Sequence, residues 1–175
     1  EMALSARVNK SIVAALDRIG AKACGLSGRD GGLITARQKD KTLGLVGTIT
    51  KVDPQVLRTL LDGGYLPVVS PIARSEEGGA LNCNADDAAR AVAEAVGADK
   101  LVFLTDTDGI LVDSHNQSTR IAKMDVSRAK ELMDSGLIAG GMIPKTMNCI
   151  HAVEHGVGSV TVLDLSLIHI SEPTR

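Results

Sequence analysis

Apolar residues recur along this chain in two alternating rhythms. Leu4, Val8, Ile12, Leu16 and Ile19 fall at helical spacing, and Gly20 offers a stop. Ala21 to Leu26 is a short apolar run that predicts a strand, and Leu33 to Arg37 predicts a second. Between them, Ser27-Gly28-Arg29-Asp30-Gly31-Gly32 reads as a turn, so the two runs are expected to form a hairpin. Leu43 to Val52 is another strand candidate. Asp53-Pro54 supplies a cap and a first-turn proline for a helix to about Asp62, ended by Gly63-Gly64. Tyr65 to Ile72 reads as a single buried strand bounded by prolines, followed by a polar, glycine-containing loop from Ala73 to Leu81.

The second half repeats the alternation. Asn84 to Val96 predicts a helix with Ala85, Ala88, Ala89, Val92 and Val96 along one face. Lys100 to Leu104 predicts a strand, and Thr105 to Gly109 a turn. Asp125 caps a helix to about Ser135, Pro144 to His155 is the next helix, and Ser159 to Leu163 is a last strand. Strands that alternate with helices imply an α/β protein with a mostly parallel sheet covered on both faces.

Composition sharpens this picture. The 175 residues suffice for one domain, and 44% of them are hydrophobic while only 1% are aromatic. The core must therefore be built from Ala, Val, Leu and Ile, which suits covered strands. A net charge of -2 without a basic block argues against nucleic acid as the main partner. The 3 cysteines, Cys24, Cys83 and Cys149, are odd in number and form no CxxC pair, which argues against a disulfide framework or zinc ribbon and fits a reducing cytoplasm. No signal peptide and no membrane-length apolar run is visible in these residues. Because the helical rhythm is already running by Leu4, the chain is expected to be cut from something longer. The last eleven residues, 165–175, resemble a translated sequencing-adaptor read-through and are expected to be non-native.

Candidate chemistry concentrates at two helix starts and one strand end. A helix N-terminus offers unpaired N–H groups and partial positive charge, so it suits anions. In Asn82-Cys83-Asn84-Ala85-Asp86-Asp87, Asn84 can cap the helix while Asp86 and Asp87 complement its dipole, which leaves Asn82 over as a donor to a polar substrate. Gly140-Gly141-Met142-Ile143-Pro144-Lys145 sets a lysine in a first turn, where it opposes the dipole unless an anion is present. Leu101 to Leu111 delivers Thr105, Asp106, Asp108 and Gly109 to the carboxyl end of a strand, the usual ligand edge of an open α/β sheet; an Asx-type turn is the plainer reading of the same residues. There is no P-loop and no GxGxxG. His151-Ala152-Val153-Glu154-His155 matches H-x-x-E-H, but no third ligand follows before Leu165 and Gly156 ends the helix, so catalytic zinc is not expected and no metal ligand is assigned.

These blocks, together with Val8-Asn9-Lys10, Gly25 to Gly32 and Gly64 to Val69, resemble the amino acid kinase family, in its branch that acts on N-acetyl-L-glutamate. The resemblance runs in family order from Glu1 to Asp164, expected to be a partial amino acid kinase domain, mainly its nucleotide-binding side. It implies a three-layer αβα sandwich around a mainly parallel sheet. It also implies ATP- and Mg²⁺-dependent phosphorylation of the side-chain carboxylate of N-acetyl-L-glutamate in arginine biosynthesis. By resemblance, Lys145 stabilises the transferring phosphoryl group, Asp86 orients catalytic lysines, and Asn82 binds acetylglutamate. Thr105, Asp106, Asp108, Gly109, Ile110 and Leu111 match the nucleotide-binding turn.

The family's Lys-x-Gly-Gly phosphate loop, second glycine-rich loop and substrate arginine have no counterpart here, so the parent protein is expected to be active and this chain inactive. Gly140 to Lys145 resembles the arginine-inhibited members, which implies arginine feedback and a homo-oligomer, a dimer or a hexamer of dimers. Alternatives are a sister kinase for acetylaminoadipate, glutamate or UMP, and a non-catalytic nucleotide-binding module.

Overall fold

The computed structural model describes residues 1–105 and 124–164. The chain divides into two compact units, Glu1–Val96 and Gly97–Arg175. The first contains α1 (Asn9–Arg18), β1 (Ala23–Ser27), β2 (Ile34–Gln38), β3 (Gly47–Val52), α2 (Gln55–Asp62), β4 (Leu66–Ser70), β5 (Ile72–Ser75), β6 (Ala80–Asn82) and α3 (Ala85–Val96). A π-helical stretch, Met2–Val8, leads into α1.

The expected hairpin between the first two strands does not form. β1 pairs in parallel with β4, from Ala23↔Leu66 to Ser27↔Ser70. β2 lies in a second sheet of order β3-β2-β5-β6. The turn between β1 and β2 works as a pivot. The Asp30 carboxylate accepts from the Ser27 N–H at 2.8 Å, the Gly28 N–H donates to Ser70 O at 3.0 Å, and Gly31 and Gly32 take φ of 60° and 70°. Left-handed backbone at two successive residues is readily supplied only by glycine, and it sends the chain out of one sheet into the other.

The second sheet is mixed rather than mostly parallel: β2 runs antiparallel to β3 and parallel to β5, and β5 antiparallel to β6. The single strand expected from Tyr65 to Ile72 is two strands, because Pro71 has no N–H to continue a ladder and the chain changes sheets there. The expected loop from Ala73 to Leu81 accordingly carries most of β5 and the start of β6. Leu33, Ile34, Ala36, Leu57, Ala73, Leu81, Cys83 and Ala88 form the buried cluster, with Leu26, Ile49, Val52, Val69 and Val92 packed against it. This core is aliphatic, as the composition demands.

α1 is fastened to the β1–β4 pair by polar groups. Asn9, 3% exposed, donates from Nδ2 to Leu26 O in β1 at 3.2 Å and to Val68 O in β4 at 2.8 Å. Lys10 Nζ donates to Gly25 O at 2.8 Å. Gly25 makes the approach possible, since a Cβ there would lie 2.1 Å from Asn9 Oδ1 and 2.9 Å from Val13 Cγ2.

In the second unit, β7 (Lys100–Thr105) pairs in parallel with β8 (Ser159–Asp164), in register from Lys100↔Ser159 to Thr105↔Asp164. Leu101, Phe103 and Thr105 alternate inward along β7 and are buried. α4 (Val126–Asp134) is capped by Asp125, whose carboxylate accepts from the Arg128 N–H at 2.8 Å. α5 (Met142–Glu154) begins two residues before the expected Pro144, which therefore sits inside the first turn where its missing N–H costs nothing. Lys130 of α4 pairs with Glu154 of α5 at 2.6 Å and holds the Glu154 carboxyl below its ordinary range. The turn expected after Thr105 and the expected tail at 165–175 lie outside the described residues. Among those described, no helix is long and apolar enough to cross a membrane.

Gly25→Ala is expected to lower stability by about 1–3 kcal/mol through overpacking against Asn9 and Val13. A urea midpoint equal to that of the parent chain would show that the Asn9 contact carries no such constraint.

Candidate functional site

The first group of candidate residues sits where β6 hands over to α3. Asn82 closes β6, opposite Ile72 of β5, and its N–H donates to Leu45 O at 2.8 Å. The next N–H, of Cys83, donates to Pro71 O at 2.9 Å. Strand alternation then sorts the side chains: Leu81 and Cys83 are buried at 3% exposure each, while Asn82 and Asn84 are exposed. Burial, and secondarily the charge of Asp87, push the Cys83 thiol above its ordinary value, so this cysteine behaves as a core residue.

Asn84 is the cap. Its Oδ1 accepts from the N–H groups of Asp86 at 2.9 Å and Asp87 at 3.1 Å, and its carbonyl accepts the first helical bond from Ala88 at 3.0 Å. Asp86 and Asp87 occupy the first turn of α3, with Asp86 half-buried and Asp87 exposed. The side chain of Asn82, by contrast, is exposed at the strand end beside this turn and takes no part in capping. Asn82 and Asp86 are thus brought to the same end of α3 within the first unit.

The second group centres on Lys145. Gly140, at φ 57°, turns the chain into α5, and Lys145 is the fourth residue of that helix. Its ammonium donates to Thr105 Oγ1 at 2.9 Å, across 40 residues of sequence. Thr105 is the last residue of β7 and is 5% exposed. A cation is therefore held against a hydroxyl at the carboxyl end of a parallel strand pair, where open α/β sheets bind their ligands. Thr146 follows Lys145 into the interior, with no exposed surface and, among the described residues, no hydrogen-bond partner for its hydroxyl.

Asp106, Asp108, Gly109, Ile110 and Leu111 lie outside the described residues. Asp86 and Lys145 belong to different units, and each is described within its own. The contact between Lys145 and Thr105 is the pairing that spacing alone did not reveal. Thr105 was expected as part of the nucleotide turn, but its bond to the lysine depends on strand β7 and helix α5 meeting in space.

The sequence pattern of the amino acid kinase family matches residues 1–164. An acetylglutamate kinase of Synechococcus sp. (strain RCC307) is 49% identical over 170 residues, which are 97% of this chain and 57% of that protein. The chain thus spans little more than half the length of the curated relatives it matches. Among solved structures, smu.665 from Streptococcus mutans UA159 superposes with a TM-score of 0.79 at 31% identity, covering 92% of this chain and 64% of that one. The N-acetylglutamate synthase of Neisseria gonorrhoeae, complexed with coenzyme A and N-acetyl-glutamate, gives 0.74 at 29% identity, covering 90% and 36%.

Asn84→Ala is expected to cost about 1 kcal/mol by stripping the cap from α3, while Asn84→Asp keeps most of it. Denaturant titration of the three forms checks this, and equal stability of the alanine and parent forms would contradict the capping role.

Proposed function

Because the chain belongs to the amino acid kinase family, we propose that it is part of an ATP-dependent kinase that phosphorylates the side-chain carboxylate of N-acetyl-L-glutamate. The observation that carries this reading is Lys145 in the first turn of α5, bonded to Thr105 at the end of β7. Phosphoryl transfer asks little covalent chemistry of a protein. It asks for in-line positioning and for fixed positive charge where the phosphoryl oxygens gain negative charge. A lysine at a helix N-terminus combines its own charge with the partial charge of the helix end. Thr105 holds the ammonium in place, so the charge does not have to be reorganised during the reaction.

Asn82, left over from capping and exposed at the strand end, is the donor we assign to the acetylglutamate carboxylate or amide. Asp86, in the first turn of α3, is assigned to orienting catalytic ammonium groups. The Asp106 to Leu111 segment is assigned to the nucleotide. The hydroxyl of Thr105 and the ammonium of Lys145 suit phosphate oxygens rather than a cation, which fits a Mg²⁺ carried on the nucleotide's phosphates and water. When bound, Mg²⁺ supplies further neutralisation of phosphate charge.

The test uses the enzyme at the full length of its relatives, with ATP, Mg²⁺ and N-acetyl-L-glutamate, trapping the acyl phosphate with hydroxylamine. Trapped product at multiple turnovers is expected, and a folded protein that forms none would overturn the reading. Lys145→Ala is expected to lower kcat about 10²–10³-fold with stability changed by no more than about 0.5 kcal/mol. Asn82→Ala is expected to raise KM for acetylglutamate more than it lowers kcat. A near-normal kcat for the lysine variant would remove Lys145 from the chemistry.

The likeness of Gly140 to Lys145 to arginine-inhibited members supports a further part of the proposal, feedback inhibition by arginine in an oligomer built from dimers. Addition of L-arginine to the full-length enzyme is expected to lower its rate. An unchanged rate at saturating acetylglutamate and at concentrations below KM would refute the regulatory part alone.

A further inference from the structure

α5 carries a second set of chemical groups at the end opposite Lys145. His151 and His155 are four residues apart, so they share one face of the last turn. Both are exposed, and their rings stack with centroids 3.8 Å apart and planes 5° from parallel. A ring nitrogen of one lies within 4.8 Å of a ring nitrogen of the other. Phosphoryl transfer as proposed above makes no use of either ring.

The surroundings of the pair select its chemistry. His155 Nδ1 lies 2.8 Å from the backbone carbonyl of His151. A carbonyl oxygen only accepts, so the neutral His155 ring keeps its proton on Nδ1 and its lone pair on Nε2. The same arrangement, one ring nitrogen tied to a backbone carbonyl and the other left to bind, orients histidine ligands at metal centres. The last turn of a helix also carries partial negative charge from its unpaired carbonyls, which favours a cation. Glu154, the carboxylate between the two histidines in sequence, is paired with Lys130 at 2.6 Å. With Glu154 engaged, α5 itself offers two imidazoles on this face. Imidazole selects late first-row dications, and carboxylate or phosphate oxygens select Mg²⁺.

We propose that His151 and His155 chelate one late first-row transition-metal dication, of the Ni²⁺, Cu²⁺ or Zn²⁺ class, at the C-terminal turn of α5. Each ring turns slightly about its terminal torsion, which is a soft motion, so that the two lone pairs converge from their stacked arrangement. The site binds and does not hydrolyse: Glu154 is engaged by Lys130 and is not available as the general base that an H-x-x-E-H hydrolase uses. Chelation across one helical turn holds α5 in its helical form at the end opposite Lys145. The inference is independent of the kinase reading and of its Mg²⁺.

The experiment titrates the chain with Ni²⁺ and separately with Zn²⁺ by calorimetry, and follows the histidine side chains by NMR. One ion per chain is expected, with paramagnetic broadening by Ni²⁺ centred on His151 and His155. Either His151→Gln or His155→Gln is expected to weaken binding at least about tenfold, because the second ligand acts intramolecularly. Glu154→Gln is expected to leave binding in place, and excess Mg²⁺ not to compete. Far-UV circular dichroism of each variant confirms that its helices are retained, and the broadening experiment on the unsubstituted chain stands whatever the variants do. Absence of stoichiometric uptake, broadening centred elsewhere, or binding that survives either substitution would overturn the proposal.

Discussion

Parallel pairing between strands far apart in sequence is the constraint on which the rest of this chain depends. A parallel pair cannot be closed by a tight turn, so the intervening chain must leave the sheet, cross over and return. β1 finds β4 in this way, and β7 finds β8. The crossover puts the carboxyl ends of both strands of a pair at one edge. In the first unit that edge is where Gly28 bonds to Ser70 and where the chain turns into the second sheet. In the second unit it is where Thr105 meets the lysine of α5. Asn9 reinforces the first pair by donating to one carbonyl on each strand, which a hydrophobic side chain could not do.

The two helix starts that carry candidate residues, one in each unit, are built on opposite electrostatic principles. α3 begins with a capping asparagine and two aspartates, so its N–H groups and its dipole are already compensated within the chain. α5 follows two glycines and carries a proline and a lysine near its start, with no capping side chain, so the positive charge of Lys145 opposes the helix dipole. The first arrangement is stable as it stands. The second is mildly unfavourable until an anion arrives, which is the property a phosphate-handling group requires.

α5 also separates two kinds of donor along its length. At its start the ammonium and hydroxyl of Lys145 and Thr105 suit hard phosphate oxygens. At its end two imidazoles suit borderline transition ions, with the neighbouring carboxylate held by Lys130. Were both proposals to hold, such different preferences would let two ligands occupy one helix without competing.

Local pattern determined much of this protein. Helical spacing marked α1 and α3, the cap at Asp125 marked α4, glycines marked helix limits, and the scarcity of aromatics required an aliphatic core, because each of these is a property of composition or of residues a few positions apart. The cap at Asn84, and with it the spare amide of Asn82, was legible for the same reason. Only the tertiary structure decided which strands pair. Ser27 to Gly32 has the composition of a hairpin turn, yet a turn that joins two strands of one sheet and a turn that joins two sheets use the same glycines. The break at Pro71 and the short strands β5 and β6 were hidden because their partners, in β2 and in each other, are set by the sheet and not by the segment itself. The bond from Lys145 to Thr105 belongs to this second class: 40 residues separate its ends, and no periodicity within either element encodes it. Spacing along a chain specifies what each element is, whereas the partner of each element is specified by burial and hydrogen bonding that exist only once the chain has folded.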